Sequence, residues 1–259
     1  IIPSWTGRTW HEGYYASLPE DTRRMLWEDG DPYACRGVVN SLTTQDSGLV
    51  WALDYKKILE QGILGMRAGL QARLDKIDVM SVPNEMYKVS FYKSAILSCD
   101  AILVWAKRYA DEAERLAGEA KDAQRKEELL EIARVCRKVP AHPAESFREA
   151  LQSLWFANAF SRIEQIVAGQ MGLGRIDQYL YPYFKADKDK GVLTDEQALE
   201  LLECLWLNLS RIRRLVPTSS ISNSQGYPNF EQACLGGQTP DGRDASNELS
   251  FLILQSKKE

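Results

Sequence analysis

Three features of the sequence predict an α/β fold in which helices predominate. Apolar residues recur at the helical spacing of three and four in several long segments between residues 54 and 215. One of these segments starts with Thr194-Asp195-Glu196-Gln197, the pattern of a capping box at a helix N-terminus. Strand signals are few: residues 36 to 53 read as loop or short strand, and a short strand is expected just before Gly236-Gly237.

The first half of the chain carries three long helical patterns, from Asp54 to Leu74, from Asn84 to Gly118 and from Ala123 to Lys138. On each, the apolar positions form a stripe of the kind that faces a protein core. The residues expected in these stripes are Tyr55, Ile58, Leu59, Ile63, Met66, Leu70 and Leu74 on the first helix, Phe91, Ala95, Cys99, Ile102, Trp105, Tyr109, Ala113 and Leu116 on the second, and Leu129, Leu130, Ala133 and Cys136 on the third.

The middle of the chain predicts two more helices. Pro143 opens the first, because proline suits the initial turn of a helix. Lys185 to Gly191 is predicted to be a charged turn, and the helix that follows the capping box is expected to end near Leu215. The side of the fourth helix that is expected to face the core carries Phe147, Ala150, Leu151, Leu154, Trp155 and Asn158.

The ends of the chain are predicted in less detail. A short helix is expected over Pro19 to Glu28, and Gly226 to Gln238 is expected to be a loop that leads into a short strand. Thr239 to Asp244 has the composition of a turn, and Ala245 to Ser256 is predicted to be a final helix. With no internal repeat and no low-complexity linker, residues 1–259 are interpreted as a single domain.

Composition excludes several classes of function. The chain has 259 residues, 44% hydrophobic and 26% charged, with a net charge of −4. No basic face stands out, so we expect no nucleic-acid partner. No apolar run reaches the roughly 18 residues that span a bilayer, so we expect no membrane segment. The five widely spaced cysteines, Cys35, Cys99, Cys136, Cys204 and Cys234, are interpreted as reduced thiols of a cytoplasmic protein.

The residues alone indicate no reaction chemistry. Two histidines, His11 and His142, cannot form a histidine-rich zinc site, and the chain has no CxxC, no GxSxG and no phosphate-binding glycine loop. His142 is interpreted as a capping or packing residue. Cys234 lies before a glycine pair, but its alternation with Ala233 and Leu235 favours a buried strand cysteine over a catalytic one. These observations predict a mostly helical scaffold with an unidentified pocket.

Particular motifs go further than composition. The run GRIDQYLYPY at Gly174–Tyr183, in the aromatic and glycine-rich segment from Gln152 to Phe184, resembles a signature of the glycyl radical enzymes, the pyruvate formate-lyase-like family. The family resemblance implies a ten-stranded α/β barrel wrapped by helices, of which this chain would form part. It also implies a glycine radical near the C-terminus of the protein and a cysteine on a loop inside the barrel. The segments that carry the resemblance are Pro143–Phe156, Leu173–Tyr179, Leu193–Glu203 and Leu235–Leu249.

The sequence departs from the family pattern in one respect. The Gly-Cys loop of the family and its radical-bearing Arg-Val-x-Gly-Tyr motif have no counterpart in the chain. The resemblance therefore implies a piece of a larger subunit, with no catalytic residue, metal site or bound cofactor of its own and no activity alone. It also implies that an activating enzyme using S-adenosylmethionine and an iron-sulfur cluster installs the radical in the missing part.

The branch of the family is interpreted from two places where related diol dehydratases carry Gly-His. Here they read Gly48-Leu49 and Ala168 to Gly172, so polar groups that would hold vicinal hydroxyls are replaced. This favours the fumarate-adding branch, the alkylsuccinate and benzylsuccinate synthases, with a hydrocarbon and fumarate as substrates, a homodimer core and small subunits as partners. Two alternatives stay open: an arylacetate decarboxylase or diol or choline-type lyase, and a non-catalytic structural paralogue.

Two sets of residues receive roles from these motifs. Arg175, Asp177 and Gln178 are expected to tie a helix to a strand through hydrogen bonds of charged groups. The second set is expected to shape a pocket and orient the substrate without breaking bonds, with loop packing as the alternative for each. Its members are Gln45, Leu49, Gln170, Gly172, Tyr227 and Phe230.

Overall fold

The computed structural model describes residues 19 to 21, 50 to 78, 86 to 164, 170 to 212 and 230 to 258. Nearly all of them belong to the larger of two compact units, which comprises Trp51–Ile166, Gln170–Arg214 and Phe230–Glu259. The first strand begins at Val50, one residue before this unit. In chain order the elements are β1 (Val50–Ala52), α1 (Tyr55–Leu74), α2 (Met86–Glu119), α3 (Ala123–Lys138), α4 (Phe147–Glu164), β2 (Gln170–Arg175), α5 (Ile176–Tyr179), α6 (Tyr181–Asp189), α7 (Asp195–Ser210), β3 (Phe230–Cys234) and α8 (Glu248–Gln255).

The three strands form one sheet in the order β1-β2-β3, and β2 runs parallel to β3. A β-bulge interrupts their register between Gly172 and Gly174. The sequence did not predict β2, because its glycines and its position beside a helical pattern carry little strand propensity. The predicted strand before Gly236 is confirmed as β3.

Helix α1 begins and ends where its pattern predicts, but it is not continuous. Gly62 has φ 65° and ψ 166°, which breaks the helix in its middle. The freed backbone groups pair with the segment after α3: the N–H of Ile63 donates to the carbonyl of Pro140 at 2.8 Å, and the N–H of Ala144 donates to the carbonyl of Leu59 at 3.0 Å. The break thus joins α1 to the α3–α4 connection.

Helices α2 and α3 pack closely along a stripe of alanines. Ala106, Ala110, Ala113 and Ala117 of α2 are buried, and small side chains of this kind allow two helices to approach. The predicted stripe of larger residues is wrong in part: Phe91 is 62% exposed, and Tyr109, Leu116 and Leu130 are also exposed. The hydrophobic positions of α2 cover more than one face, so periodicity alone did not identify the buried one.

Helix α2 also bears on the membrane expectation. Within the described residues it is long and apolar enough to cross a membrane by length and composition, and 22% of its most apolar window is buried. Core helices of soluble proteins meet the same criterion. The expectation that no segment is long and apolar enough to cross a membrane therefore does not hold for α2. A single helix of this kind is only weak evidence that the chain crosses a membrane.

Helix α6 replaces a predicted turn. Lys185 to Asp189 are helical, and only Lys190 and Gly191 form the turn, so the turn prediction for Lys185 to Gly191 is wrong over most of its length. Pro182 lies in the first turn of this helix, where proline costs no hydrogen bond. Buried Asp187 of α6 accepts a hydrogen bond from the N–H of Phe147 at 2.7 Å and so satisfies a free donor at the start of α4.

The predicted capping box is present at α7, where Thr194 and Gln197 bond each other's backbone N–H groups. This helix ends at Ser210 rather than near Leu215. Helix α8 has a similar reciprocal cap between Asn247 and Ser250, and it is shorter than the predicted final helix.

A buried carboxylate joins the end of α3 to the start of α4. Glu149 is 3% exposed, and it pairs with Lys138 at 2.8 Å and with Arg134 at 3.4 Å. It also accepts the backbone N–H of Glu145 at 2.9 Å. Burial acts to raise the pKa of Glu149, but the hydrogen bonds from Lys138 and the Glu145 backbone outweigh it, so the pKa of Glu149 is lowered.

This pairing predicts an acid-dependent stability. Because the folded pKa of Glu149 is depressed, its contribution is present above the unfolded value of about 4.3 and is lost as pH falls through the folded pKa. We expect Glu149→Gln to lower the free energy of unfolding by about 1–2 kcal/mol at neutral pH and by much less near about pH 3. Urea unfolding of both proteins measures this, and a difference that does not shrink in acid contradicts it.

Candidate functional site

The structure brings together part of the predicted substrate set. In the parallel register Gln170 of β2 lies opposite Phe230 of β3, and Gly172 lies opposite Gln232. Thus Gln170, Gly172 and Phe230 are placed on neighbouring strands at the start of the β2–β3 ladder. Gln45, Leu49 and Tyr227 lie outside the described residues. A substrate role for the six residues stays a prediction.

The sheet is packed against helices on one side. Leu173, the residue at the bulge, is fully buried in the hydrophobic core that the helices form. On β3, Gln232, Ala233 and Cys234 are all exposed in this chain. Bulges often redirect side chains next to functional sites, and this one directs Leu173 into the core between Gly172 and Gly174. The bulge therefore anchors β2 to the helical core through Leu173.

Arg175 clamps the loop that follows β3. Its Nε and Nη2 both donate to the carbonyl of Gly236, at 3.1 and 2.6 Å, and its Nη1 donates to the carbonyl of Gln238 at 3.2 Å. The planar guanidinium can make these bonds at once, which an ammonium group cannot. Gly236 has φ 62°, a left-handed conformation that favours glycine.

Asp177 holds the same loop from the buried side. It is fully buried, and its Oδ2 accepts from the backbone N–H of Gly236 at 2.7 Å and from the hydroxyl of Ser250. Gln178 donates to the carbonyl of Ala245 at 2.8 Å, and Asn247 donates to the carbonyl of Asp177 at 3.1 Å. The predicted hydrogen bonds of Arg175, Asp177 and Gln178 are present, but they tie α5 to the loop after β3 and to α8 rather than to a strand.

Arg175 offers a test of this clamp. We expect Arg175→Ala to lower the free energy of unfolding by about 1–3 kcal/mol, because two backbone carbonyls lose a charged donor. Arg175→Lys should recover only part of the loss. Thermal unfolding of the parent and the two variants tests this prediction. An Arg175→Ala variant as stable as the parent would contradict the clamp.

A buried polar chain lies between α1 and α4. Asn158 donates to the hydroxyl of Tyr55 at 3.2 Å and accepts from Nε of Arg162 at 3.2 Å, and all three residues are buried. The ring of Tyr55 stacks on Tyr179 with centroids 5.6 Å apart, and the Tyr179 hydroxyl donates to the carbonyl of Leu173 at 2.8 Å. These contacts connect the helices to the bulge of β2.

The sequence predicted only some of the residues in this buried polar network. Tyr55 and Asn158 were predicted as core residues, but Arg162 and the tyrosine stack were not singled out. Burial strongly raises the pKa of Tyr179, so its hydroxyl remains a donor to Leu173. The signal available in the sequence was the placement of Asn158 and Arg162 four residues apart on an otherwise apolar helix.

The described cysteines are not prepared for nucleophilic chemistry. Burial raises the pKa of the Cys136 thiol to about 11 and also raises those of Cys99 and Cys204. Cys234 is at the end of β3 as predicted, but it is exposed, so the prediction of a buried cysteine is wrong. It is the last residue of β3, the edge strand of the described sheet.

No group of three His, Cys, Asp or Glu residues that could hold a metal ion occurs within the ranges that the structure describes. His142 is exposed, and its backbone lies against the break in α1, where a Cβ on Gly62 would come within 2.8 Å of the His142 Cα. Only its backbone makes this contact, so the interpretation of the His142 side chain as a capping or packing residue stays a prediction.

The comparisons with known proteins agree with the family that the motifs resemble. A family profile for pyruvate formate lyase-like proteins matches residues 1–259. The chain therefore belongs to the pyruvate formate lyase-like family, the family of the glycyl radical enzymes.

Individual relatives support this membership. The chain is 40% identical over 260 residues to the isethionate sulfite-lyase of Bilophila wadsworthia, covering 100% of this chain and 31% of that protein. The B12-independent glycerol dehydratase of Clostridium butyricum, solved with glycerol bound, superposes with a TM-score of 0.79 at 34% identity over 98% of this chain and 31% of its own. A glycyl radical enzyme from Archaeoglobus fulgidus gives a TM-score of 0.73 at 33% identity over 83% of this chain and 28% of its own.

The chain thus spans about a third of the length of these proteins. The predicted partial α/β fold of the family is confirmed, and the described sheet has three strands. Two of these three relatives are a sulfite-lyase and a dehydratase. They favour the lyase alternative over the addition of a hydrocarbon to fumarate.

Proposed function

We propose that the protein containing this chain is a glycyl radical lyase that removes a leaving group from a small hydroxylated substrate. Isethionate, with sulfite as the leaving group, is the first candidate. The observation that carries this proposal is the 40% identity to an isethionate sulfite-lyase over the whole chain. Fumarate addition, favoured by the motif interpretation alone, has no such support.

The motif differences can be reconciled with this reaction. Gly48-Leu49 and the Ala168–Gly172 segment lack the Gly-His pairs that would hold two vicinal hydroxyls. Isethionate has one hydroxyl and one sulfonate, so a pocket for it does not need the second hydroxyl site. A pocket that cannot pair a buried hydroxyl rejects the diol, because an unpaired polar group is costly. The same substitutions therefore argue against a diol and leave a sulfonate possible.

The proposed reaction is balanced without an added oxidant. A hydrogen atom leaves the hydroxyl-bearing carbon, and the carbon–sulfur bond breaks with its electron pair going to sulfite. The hydroxyl proton passes to the departing sulfite as the carbonyl forms, and a hydrogen atom then returns to the carbon that lost sulfite. The products are acetaldehyde and hydrogen sulfite. By the resemblance to the family, a glycyl radical would take a hydrogen atom from a cysteine thiol, and the resulting thiyl radical would abstract the substrate hydrogen. We assign neither the glycine nor the cysteine to any residue of this chain.

The chain's own contribution is to position and enclose the substrate. We propose that Gln45, Leu49, Gln170, Gly172, Tyr227 and Phe230 contribute to shaping the substrate pocket. Excluding water protects a radical from side reactions. The proposal includes a radical-activating enzyme, a homodimeric assembly and a cytoplasmic location. Fumarate and small subunits belong to the alternative reaction.

The test uses the longest polypeptide that the gene encodes, activated without oxygen by its activating enzyme. We expect an organic radical signal in electron paramagnetic resonance and release of sulfite from isethionate. A radical with no sulfite release, but with dehydration of a diol or decarboxylation of an arylacetate, selects another lyase. Failure to form any radical supports the non-catalytic paralogue and contradicts the proposal.

A further inference from the structure

The bulge of β2 is held by the hydroxyl of Tyr179. Gly172 and Gly174 pair with consecutive residues of β3, so Leu173 between them is the extra residue of the bulge. The side chain of Leu173 is fully buried, and its carbonyl accepts a hydrogen bond from the Tyr179 hydroxyl at 2.8 Å. A buried backbone carbonyl needs such a donor, because leaving it unpaired is costly. One side chain thus bonds the one residue of β2 that has no partner residue on β3.

The position of the Tyr179 hydroxyl is fixed from two directions. Tyr179 is the last residue of α5, the short helix that begins directly after β2. Its ring stacks on the buried ring of Tyr55 of α1, with centroids 5.6 Å apart and an angle of 23° between the planes. The Tyr55 hydroxyl in turn accepts from the side-chain amide of Asn158 of α4 at 3.2 Å. Helices α1, α4 and α5 therefore all help to fix one hydrogen bond to β2.

The bulge also decides how the residues before it are placed on the sheet. Side chains alternate between the two faces of a strand, and one extra residue shifts this alternation by one. Gln170 and Gly172, two of the residues proposed to shape the pocket, lie just before the bulge. They keep their place opposite β3 only as long as the extra residue stays at Leu173.

We infer that Tyr179 is a positioning residue for the substrate pocket: its hydroxyl holds the bulge at Leu173 and thereby places Gln170 and Gly172 for substrate binding. Tyr179 acts through the backbone of β2 and does not need to touch the substrate. Burial strongly raises the pKa of Tyr179, so its hydroxyl stays protonated and able to donate. The part of the inference that concerns the substrate rests on the proposed function, whereas the part that concerns the bulge does not.

Tyr179→Phe tests the inference in the longest polypeptide that the gene encodes, because it removes the hydroxyl and keeps the ring that stacks on Tyr55. We expect hydrogen exchange, followed by mass spectrometry, to be about fivefold faster in peptides that contain Gly172 to Arg175. In the activated enzyme we expect the KM for isethionate to rise about tenfold, with kcat per radical changed less than about twofold. A tyrosine that only stabilised the fold would lower the amount of active enzyme, and so the apparent kcat, but would leave KM unchanged.

Tyr109→Phe is the matched control. It also removes one hydroxyl from a ring in an aromatic cluster, where Tyr109 of α2 packs against Trp155 and Phe156 of α4. Because Tyr109 is not bonded to β2, this variant should leave both the exchange of the bulge peptides and KM as they are in the parent.

Unchanged exchange at the bulge in Tyr179→Phe overturns the inference, whatever reaction the protein catalyses. Faster exchange with an unchanged KM overturns it as well, because the bulge would then not place the pocket. Loss of soluble protein contradicts it too, since the hydroxyl would be essential to the fold rather than to the pocket. If the parent releases no sulfite from isethionate, the proposed function fails, and the exchange together with the KM for the substrate that the parent does convert tests the role of Tyr179.

Discussion

Gly62→Ala is expected to destabilise the protein by about 3 kcal/mol or more, the largest effect of a single methyl group in the described chain. Two physical costs add. The backbone at Gly62, with φ 65° and ψ 166°, lies in a region that only glycine occupies readily. A Cβ there would also lie 2.5 Å from the carbonyl oxygen of Ala141, a backbone atom that cannot rotate away.

Relief of this strain would break the junction between α1 and the α3–α4 connection. The hydrogen bonds from Ile63 to Pro140 and from Ala144 to Leu59 both depend on the break in the helix. We therefore expect a lower unfolding temperature together with faster amide exchange at Ile63 and Leu64, whose N–H groups bond this connection. Thermal unfolding and amide exchange measured by nuclear magnetic resonance would show both.

Gly69→Ala is the matched control. Gly69 lies in the same helix, and nothing lies within 4 Å of the Cβ that the change would add. Alanine favours a helix over glycine by about 0.5–1 kcal/mol, so this variant should be as stable as the parent or slightly more stable. If Gly62→Ala and Gly69→Ala lower the free energy of unfolding equally, then the backbone conformation of Gly62 does not explain the loss.

Asp177→Ala is expected to cost about 3 kcal/mol, because the change removes the acceptor shared by two buried donors. The N–H of Gly236 and the hydroxyl of Ser250 would both lose their charged partner, and the fully buried site offers no water in exchange. The loop after β3 and helix α8 should loosen together. Unfolding by urea and protease sensitivity near Gly236 measure the two effects.

A surface aspartate provides the comparison for this prediction. Asp189 pairs with Lys185 on the outside of α6, with 60% of its side chain exposed. Exposed pairs four residues apart contribute little, so Asp189→Ala should leave stability unchanged within error. If Asp177→Ala also leaves the free energy of unfolding unchanged, then Asp177 does not hold the loop after β3 and α8 in place.

Much of the fold could be predicted because local signals and tertiary packing agree there. The pattern for α3 gives its bounds to the residue, and the Thr194-Gln197 box locates the start of α7. The break at Gly62 could not be predicted, since it depends on the approach of residues 140 to 142, far away in the chain. The same holds for β2, which exists through its pairing with β3 rather than through propensity.

The candidate site, like the fold, could be predicted only in part. The roles of Arg175 and Asp177 followed from a dense motif, and the structure shows the bonds. The exposure of Cys234 could not be predicted, because alternation in a strand does not reveal whether a further strand or helix covers it. The branch of the family was interpreted from two short segments, whereas identity over the whole chain favours a different reaction.

The proposed lyase activity and fumarate addition predict different products from the same substrates. The most direct measurement supplies the anaerobically activated protein with isethionate, toluene and fumarate together and identifies every product. We expect the lyase reaction to give sulfite and acetaldehyde in equal amounts and no substituted succinate. A benzylsuccinate product without sulfite would contradict it.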